Sequence, residues 1–219
     1  MRWRAAFALA AWSLAVVPCA AQVTINGGLL WSAGHEAGAS TADLRSNATG
    51  TTAPPFTWFQ ADSRVGPAPG FEGRVGVDVT RSFTIEGGAS YARPRLMFAI
   101  SRDAESANQE YEGESLHQYV FDGALLWRVP MTRSPRVAPF LVGGAGYLRQ
   151  LHDERTLVES GQLYFAGGGA RFWLRGSASS PHSLGLRTEI RVNIRRRGVD
   201  FENAVRVYPT VSALLFVGL

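Results

Sequence analysis

An apolar leader, eight segments in which apolar and polar residues alternate, and connections of unequal length predict an all-β chain. The expected architecture is an eight-stranded antiparallel up-and-down transmembrane β-barrel that follows a cleaved signal peptide. At 219 residues the chain has the length of one domain. Its 46% hydrophobic content is ample for an ordered fold. Charged residues make up only 18%, below the roughly 25% usual for soluble proteins, so a large solvated surface is not expected. Beyond the leader no apolar run reaches the roughly 18 residues that a transmembrane helix needs. All 22 basic residues are arginine, and a net charge of +4 with no clustered basic face does not argue for nucleic acid.

The leader has the three parts of an export signal. Arg2 and Arg4 form a cationic start, residues 5–17 an apolar stretch, and Cys19-Ala20-Ala21 a small-residue cleavage site before Gln22. The expected division is a signal peptide at 1–21 and a barrel domain at 22–219. Cys19 is the only cysteine. Pro18 directly before it makes a poor lipoprotein site, so Cys19 leaves with the leader. The mature chain then lacks a disulfide, a thiol nucleophile and a thiolate metal ligand. Loss of Arg2 and Arg4 lowers the net charge from +4 to +2.

The first expected strand, 23–31, sets Val23, Ile25, Leu29 and Trp31 opposite Thr24 and Asn26. Residues 32–70 are then expected to be a long Gly, Ala, Ser and Thr-rich loop, largely dispensable for folding. Within it Pro54-Pro55-Phe56-Thr57-Trp58-Phe59 forms an apolar patch able to meet a partner or fold over the barrel mouth. The second strand, 71–79, sets Phe71, Val75, Val77 and Val79 opposite Glu72, Arg74 and Asp78. After the minimal turn Thr80-Arg81-Ser82, the third, 83–91, sets Phe83, Ile85, Ala89 and Tyr91 opposite Thr84, Glu86 and Ser90. Pro94 interrupts the pattern at a bulge or register change. A second polar connection is expected at 102–114. The fourth strand, 119–129, sets Tyr119, Phe121, Leu125, Trp127 and Val129 opposite Asp122 and Arg128. The fifth and sixth, 137–148 and 162–174, are so rich in Gly and Ala that their facing is ambiguous. The seventh, 184–194, is the clearest: Leu184, Leu186, Ile190, Val192 and Ile194 oppose Arg187, Glu189, Arg191 and Asn193. The last sets Val207, Val211, Ala213, Leu215, Val217 and Leu219 opposite Arg206, Tyr208, Thr210 and Ser212.

Alternation alone does not say which face is inside. A soluble barrel hides its apolar face, whereas a membrane barrel turns it to lipid. The export signal, the long-and-short connections and the lysine-free polar face favour lipid. So do two expected aromatic girdles. Trp31, Phe71, Tyr91, Tyr119 and Tyr147 form one; Phe83, Trp127, Phe140 and Phe172 or Trp173 form the other. With the apolar face outward, Glu72, Arg74, Asp78, Glu86, Asp122, Arg128, Arg187, Glu189, Arg191 and Arg206 point into the lumen. Five acids face five arginines there, which suits a near-neutral network of ion pairs.

On the leader, on Ala138-Pro139-Phe140 running into Gly143-Gly144-Ala145-Gly146-Tyr147, and on the terminal Arg206-Val207-Tyr208-Pro209-Thr210-Val211-Ser212-Ala213, the chain resembles the small eight-stranded outer-membrane β-barrels of the OmpA/OmpX type. The resemblance covers about residues 22–219. It implies the cell outer membrane, both termini on the periplasmic side, and a last strand read by the outer-membrane assembly machinery. Members usually end in an aromatic residue. Here Leu219 ends the chain and Phe216 is out of phase. The resemblance implies no shared catalytic residues and no cofactor.

Chemistry-bearing residues are few. His35, His117, His152 and His182 show no mutual metal-ligand spacing, so no metal is expected. His35-Glu36 and His152-Asp153-Glu154 fall in expected loops. His182-Ser183 with Glu189 invites comparison with lipid-A-modifying barrels, but six residues of strand separate the serine and the acid by about 20 Å, too far for a relay. Gly167-Gly168-Gly169 and Gly143-Gly144 lie mid-strand and lack the context of a phosphate loop. Asn47-Ala48-Thr49 matches a glycosylation sequon. Arg195-Arg196-Arg197 ends a strand at the extracellular rim, where contact with lipopolysaccharide is the functional reading. The expected role is a structural or interaction scaffold that presents extracellular loops, without catalysis. The alternatives are a narrow pore, a soluble periplasmic ligand-binding barrel and a lipid-A-modifying enzyme.

Overall fold

The computed structural model describes residues 22–44, 56–130, 136–153, 157–177, 180, 182–202 and 204–219. The leader, the sequon at 47–49, Pro54-Pro55 and Glu154 lie outside these residues. The described chain forms eleven strands: β1 (Val23–Ser32), β2 (His35–Leu44), β3 (Phe56–Val65), β4 (Ala68–Asp78), β5 (Phe83–Ala92), β6 (Arg95–Ser101), β7 (Gln109–Arg128), β8 (Val137–His152), β9 (Val158–Arg175), β10 (Ser183–Arg197) and β11 (Arg206–Gly218).

Eight of these close a ring. In order around it they are β1, β4, β5, β7, β8, β9, β10 and β11, all antiparallel to their neighbours. β11 returns to β1 with Ile25 opposite Val217 and Trp31 opposite Val211, which leaves no free edge. These are the eight strands expected from the alternation, and most are longer than expected. Close contact between strands needs small residues at some positions. A Cβ on Gly169 would lie 2.0 Å from the Thr188 carbonyl oxygen. The glycine runs thus serve packing within β8 and β9.

The expectation of two long loops at 32–70 and 102–114 is overturned. The first contains β2 and β3 and the second the first part of β7, and with β6 these pair in the order β2-β3-β6-β7. β2 continues β1 after a break at Ala33-Gly34, β3 leads into β4 across Gly66-Pro67, and β6 continues β5 across Arg93-Pro94. Gly66 still donates to the Arg95 carbonyl at 2.7 Å, and Leu116 to that of Pro94 at 2.8 Å. Proline cannot donate to a ladder, so the two prolines fall where four barrel strands leave the ring and form a separate sheet. His35-Glu36 accordingly opens a strand instead of lying in a loop. The segment between β10 and β11 folds onto this sheet: Phe201 donates to the Ala37 carbonyl at 2.8 Å, and Glu202 accepts from the Ala39 amide at 2.7 Å. Ala37, Val65, Leu96, Leu116 and Val199 bury one another there.

Within the ring, facing follows period two throughout. Ile25, Leu29, Val75, Ile85, Phe121, Leu125, Leu141, Ile190, Val192, Val211 and Leu215 are outward and well exposed. Their neighbours in sequence point in, including Asn26, Arg74, Glu86, Leu126, Phe140, Glu189, Asn193 and Leu214. One expected girdle residue, Phe140, is misplaced, and of the two alternatives on β9 Phe172 is the outward one. Phe140 and Trp173 are buried inside, because the inward phase of β8 and β9 falls on them.

Two outcomes follow. Ile190→Arg should cost about 2–4 kcal/mol near the bilayer midplane, measured as reversible folding into lipid. Deleting residues 36–52 removes nearly all of β2. The ring does not use β2, so the variant should still insert and keep its heat-modifiable gel mobility, while residues 198–205 become open to protease.

Candidate functional site

The lumen is filled on one side by charge and on the other by apolar side chains. Arg74 and Glu72 come from β4, Glu86 from β5, Asp122 from β7, Arg171 from β9, and Arg187, Glu189 and Arg191 from β10. Glu86 is the hub. It accepts from Arg187 Nη1 at 2.7 Å and Nη2 at 2.9 Å, from Arg171 Nη2 at 2.9 Å, and from Arg74 Nη1 at 3.4 Å. Arg74 also donates through Nε to Glu72 at 2.7 Å and bonds Asp122. Arg187 Nε donates to Glu189 at 2.9 Å, and Arg191 pairs with Glu189 and, at 2.9 Å, with Glu72. Asp78 pairs with Arg128 and accepts from Thr84 Oγ1 at 2.6 Å. A Cβ on Gly88 would lie 2.9 Å from Arg74 Nη2, so the bare backbone there makes room for the guanidinium.

The opposite wall supplies Val120, Ala124, Leu126, Phe140, Val142, Leu148, Leu163, Phe165 and Tyr208. Aromatic rings from this wall and from β11 lie against the arginines. The guanidinium carbon of Arg187 sits 4.8 Å from the Phe140 centroid, that of Arg191 4.9 Å from Phe165, and that of Arg171 5.8 Å from Phe216. Each ring meets a cation with its π-face in a site closed to water.

Nine of the ten residues expected in the lumen lie there. Arg206 does not. It stands at the loop end of β11, bonded to Asp200 at 2.9 and 3.1 Å and to Glu202 at 3.0 Å. The carboxylates that return on the β10–β11 segment hold it above the membrane. Burial pushes the Asp200 carboxyl up, but the hydrogen bonds from Arg206 outweigh this and leave it below its ordinary value. Arg171 takes the fifth arginine place in the lumen. Sequence reasoning missed it because β9 is Gly and Ala-rich; the inward phase set by Leu163, Phe165 and Trp173 was the available signal.

The arginine triplet also divides. Arg195 keeps the phase of Arg187 and Arg191 and is fully buried, so it is not a surface contact. Arg196 points outward, and Arg197 is exposed at the turn with φ of 65°. Arg195 lies at the neck between barrel and extension, where His35 stacks on Tyr208 with centroids 4.6 Å apart and an 18° interplanar angle. His35 lies beyond the membrane-spanning strands. Burial first, and then the charges of Arg195 and Arg206, lower its pKa to about 3. On the outer rim Tyr91 Oη and His117 Nδ1 are 2.9 Å apart, His117 Nε2 is 3.2 Å from Asp153, and Arg93 donates to Asp153 at 2.9 Å. His182 is exposed and Ser183 buried, six residues along β10 from a Glu189 that is engaged by Arg187 and Arg191.

A closed barrel with an apolar exterior and a charged, paired interior is stable only where the exterior meets lipid. The chain is therefore a transmembrane β-barrel of the cell outer membrane. Solved structures that it resembles include the outer membrane protein OprG from Pseudomonas aeruginosa, at 11% identity over 91% of this chain and 94% of that one, with a TM-score of 0.49. Ail, the attachment invasion locus protein of Yersinia pestis, matches at 12% identity over 90% and 97%, TM-score 0.39. The outer membrane protease OmpT from Escherichia coli matches at 9% identity over 94% and 98%, TM-score 0.34. No family model matches the sequence, and no curated protein matches it.

Removing one partner from a buried pair strands the other. Glu189→Ala should therefore cost about 3–5 kcal/mol. Glu86→Ala should cost at least as much, because three guanidinia lose an acceptor. Urea titration of the folded barrel in lipid measures both, and a neutral result for both variants would contradict the network.

Proposed function

We propose that this barrel is a closed, lipid-embedded scaffold and that its extracellular sheet is the working surface. The observation that carries the reading is the filled lumen. Five acids and five arginines pair across it, an apolar cluster lines the rest, and the extension with the β10–β11 segment covers its mouth. An eight-stranded ring has room for little beyond its own side chains. The β2-β3-β6-β7 sheet bears a cleft of about 510 Å³, lined by Asp62, Phe98, Tyr111 and Glu202 among others. Such a cleft on the long-loop end, which is the extracellular end in this class, is the surface on offer to a partner. Ser183 and Glu189 are held apart along β10, and this favours a non-catalytic role.

Lipopolysaccharide is the partner that the rim suits. Arg149 and Arg196 face outward, two residues beyond Tyr147 and Ile194, and Arg93 stands two beyond Tyr91. Arginine is suited to phosphate by its planar fork of donors, and interfacial tyrosines mark the headgroup level.

Planar-bilayer recording tests the scaffold. The expected outcome is no reproducible conductance step of uniform size; such steps would establish a pore. The paired change Arg149→Gln with Arg196→Gln should abolish the salt-sensitive stabilisation by lipopolysaccharide and leave stability in phosphatidylcholine unchanged.

A further inference from the structure

The lipid face of β8, β9 and β10 ends in polar side chains at the extracellular rim. Beyond Ile190, Val192 and Ile194 the next outward residue of β10 is Arg196; beyond Tyr164 on β9 it is Gln162; beyond Tyr147 on β8 it is Arg149. All are exposed. The register sets Tyr147 and Arg196 opposite Gln162 from its two sides, and Arg149 opposite Ser160. Opposed residues share a face of the sheet, with Cβ atoms about 5 Å apart. Arg197 reaches the same place by leaving strand geometry. Strict alternation would turn it inward like Arg195, but its φ is 65° and it is exposed. Two consecutive arginines therefore line one cavity of about 450 Å³, together with Gln162 and, from the β10–β11 segment, Ala204 and Val205. No carboxylate lines it. Among the described residues neither Arg196 nor Arg197 forms an ion pair, and the Gln162 carboxamide makes no hydrogen bond. Two adjacent guanidinium groups with no acid between them repel, and an anion relieves this.

We infer that this cavity is a seat for one lipid-borne phosphomonoester, held by Arg196 and Arg197 with the Gln162 carboxamide as a further donor. The donor set selects the group. One guanidinium fork satisfies the two oxygens of a carboxylate, whereas two forks and a carboxamide match the three acceptor oxygens and the double charge of a phosphomonoester. Position selects the source. Arg196 and Gln162 lie on the outward face, one step beyond Ile194 and Tyr164, at the height where interfacial tyrosines mark the headgroups. The apolar side chains of Ala204 and Val205 on the same cavity suit the body of a lipid headgroup better than a hydrated free ion. The inference rests on lipopolysaccharide as the partner of the rim, and adds the group that is recognised and two residues, Arg197 and Gln162, that hold it.

The test uses the full barrel folded in phosphatidylcholine bicelles. Lipopolysaccharide, or the same lipopolysaccharide after phosphatase treatment, is added at constant ionic strength, so that screening is unchanged, and thermal unfolding is followed. The expected result is a saturable rise of melting temperature with the intact lipid, as for a ligand that binds only the folded state, and a much smaller one after phosphatase. Arg197→Gly should raise half-saturation about tenfold, as for one lost charge-assisted hydrogen bond. The variant keeps the fold accessible, because glycine favours the positive φ that Arg197 adopts. Arg102→Gly is the matched control: Arg102 is exposed with a φ of 53° in the turn after β6, and its loss should leave half-saturation unchanged. Gln162→Leu should weaken binding by a smaller factor in the same direction. Equal effects of Arg197→Gly and Arg102→Gly would overturn the seat, and so would equal stabilisation by intact and phosphatase-treated lipid. Glucose 1-phosphate should compete only at far higher concentration; competition at equal concentration would overturn the lipid source. If intact lipopolysaccharide does not stabilise the wild-type barrel at all, the rim reading itself falls. If it does, and Arg197→Gly and Gln162→Leu match the wild type, the seat alone falls.

Discussion

Charge shut inside a narrow barrel has to be answered from inside the barrel. Glu86 shows how far this reaches: its carboxylate, on β5, is the meeting point of arginines from β4, β9 and β10. Of those strands β4 pairs with β5, whereas β9 and β10, which pair with each other, lie across the ring from it. The ion pairs therefore constrain the circumference of the ring as well as the lumen. A β-hairpin ladder fixes only adjacent strands; a hub that draws on three further strands fixes the closed ring. In water these pairs would contribute little each. Here the lipid outside and the apolar wall opposite remove the competing solvent, so the loss of any one member leaves an uncompensated charge.

The aromatic side of the lumen belongs to the same arrangement. Phe140, Phe165 and Phe216 are inward residues on β8, β9 and β11, and each presents a ring to a guanidinium. They fill volume that would otherwise admit water, and they face the cations with the negative side of their quadrupoles. Lumenal Gly88 opposite Arg74 has the opposite task, to leave space. Large and small inward residues are thus distributed according to where the arginine heads must lie.

Much of this was legible because period two survives in the strands that cross the membrane. In β10, where Leu184, Leu186, Ile190, Val192 and Ile194 oppose Arg187, Glu189 and Arg191, the facing could be read from the residue types alone. Legibility fell where one face lacked a chemical marker. β9 hides Arg171 among Gly and Ala, so that arginine went unnoticed. β2 has Gly, Ala, Ser and Thr on both faces and β3 mixes aromatic with polar residues, and their strand conformation comes from pairing of β2 with β3 and of β3 with β6, a tertiary effect that outweighs weak local preference. The breaks at Pro67 and Pro94 disguised the continuity of the strands on either side. Arg206 was misassigned for a different reason. It has the inward phase, but it lies beyond the ring, where Asp200 and Glu202 return to meet it, and alternation carries no information about height.

Height also separates the two kinds of buried arginine. Within the membrane span, β4, β5, β7 and β10 all carry acids on their inward faces, so every guanidinium there finds a carboxylate. At the neck the inward residues change to Tyr208, His35, Gln118, Gln150 and the backbone of Val199, and the carboxylates of Asp200 and Glu159 act on Arg195 without pairing with it. The phase of β10 nevertheless continues, and it delivers Arg195 into this layer as regularly as it delivers Arg187 and Arg191 below. A strand cannot turn one residue outward without a bulge, and β10 pairs in unbroken register with β11 from Ser183 to Arg195. That unbroken register is thus also what sets a cation between two apolar clusters, where its hydrogen bond goes to the Val199 carbonyl and the carboxylates of Asp200 and Glu159 act on it from a distance.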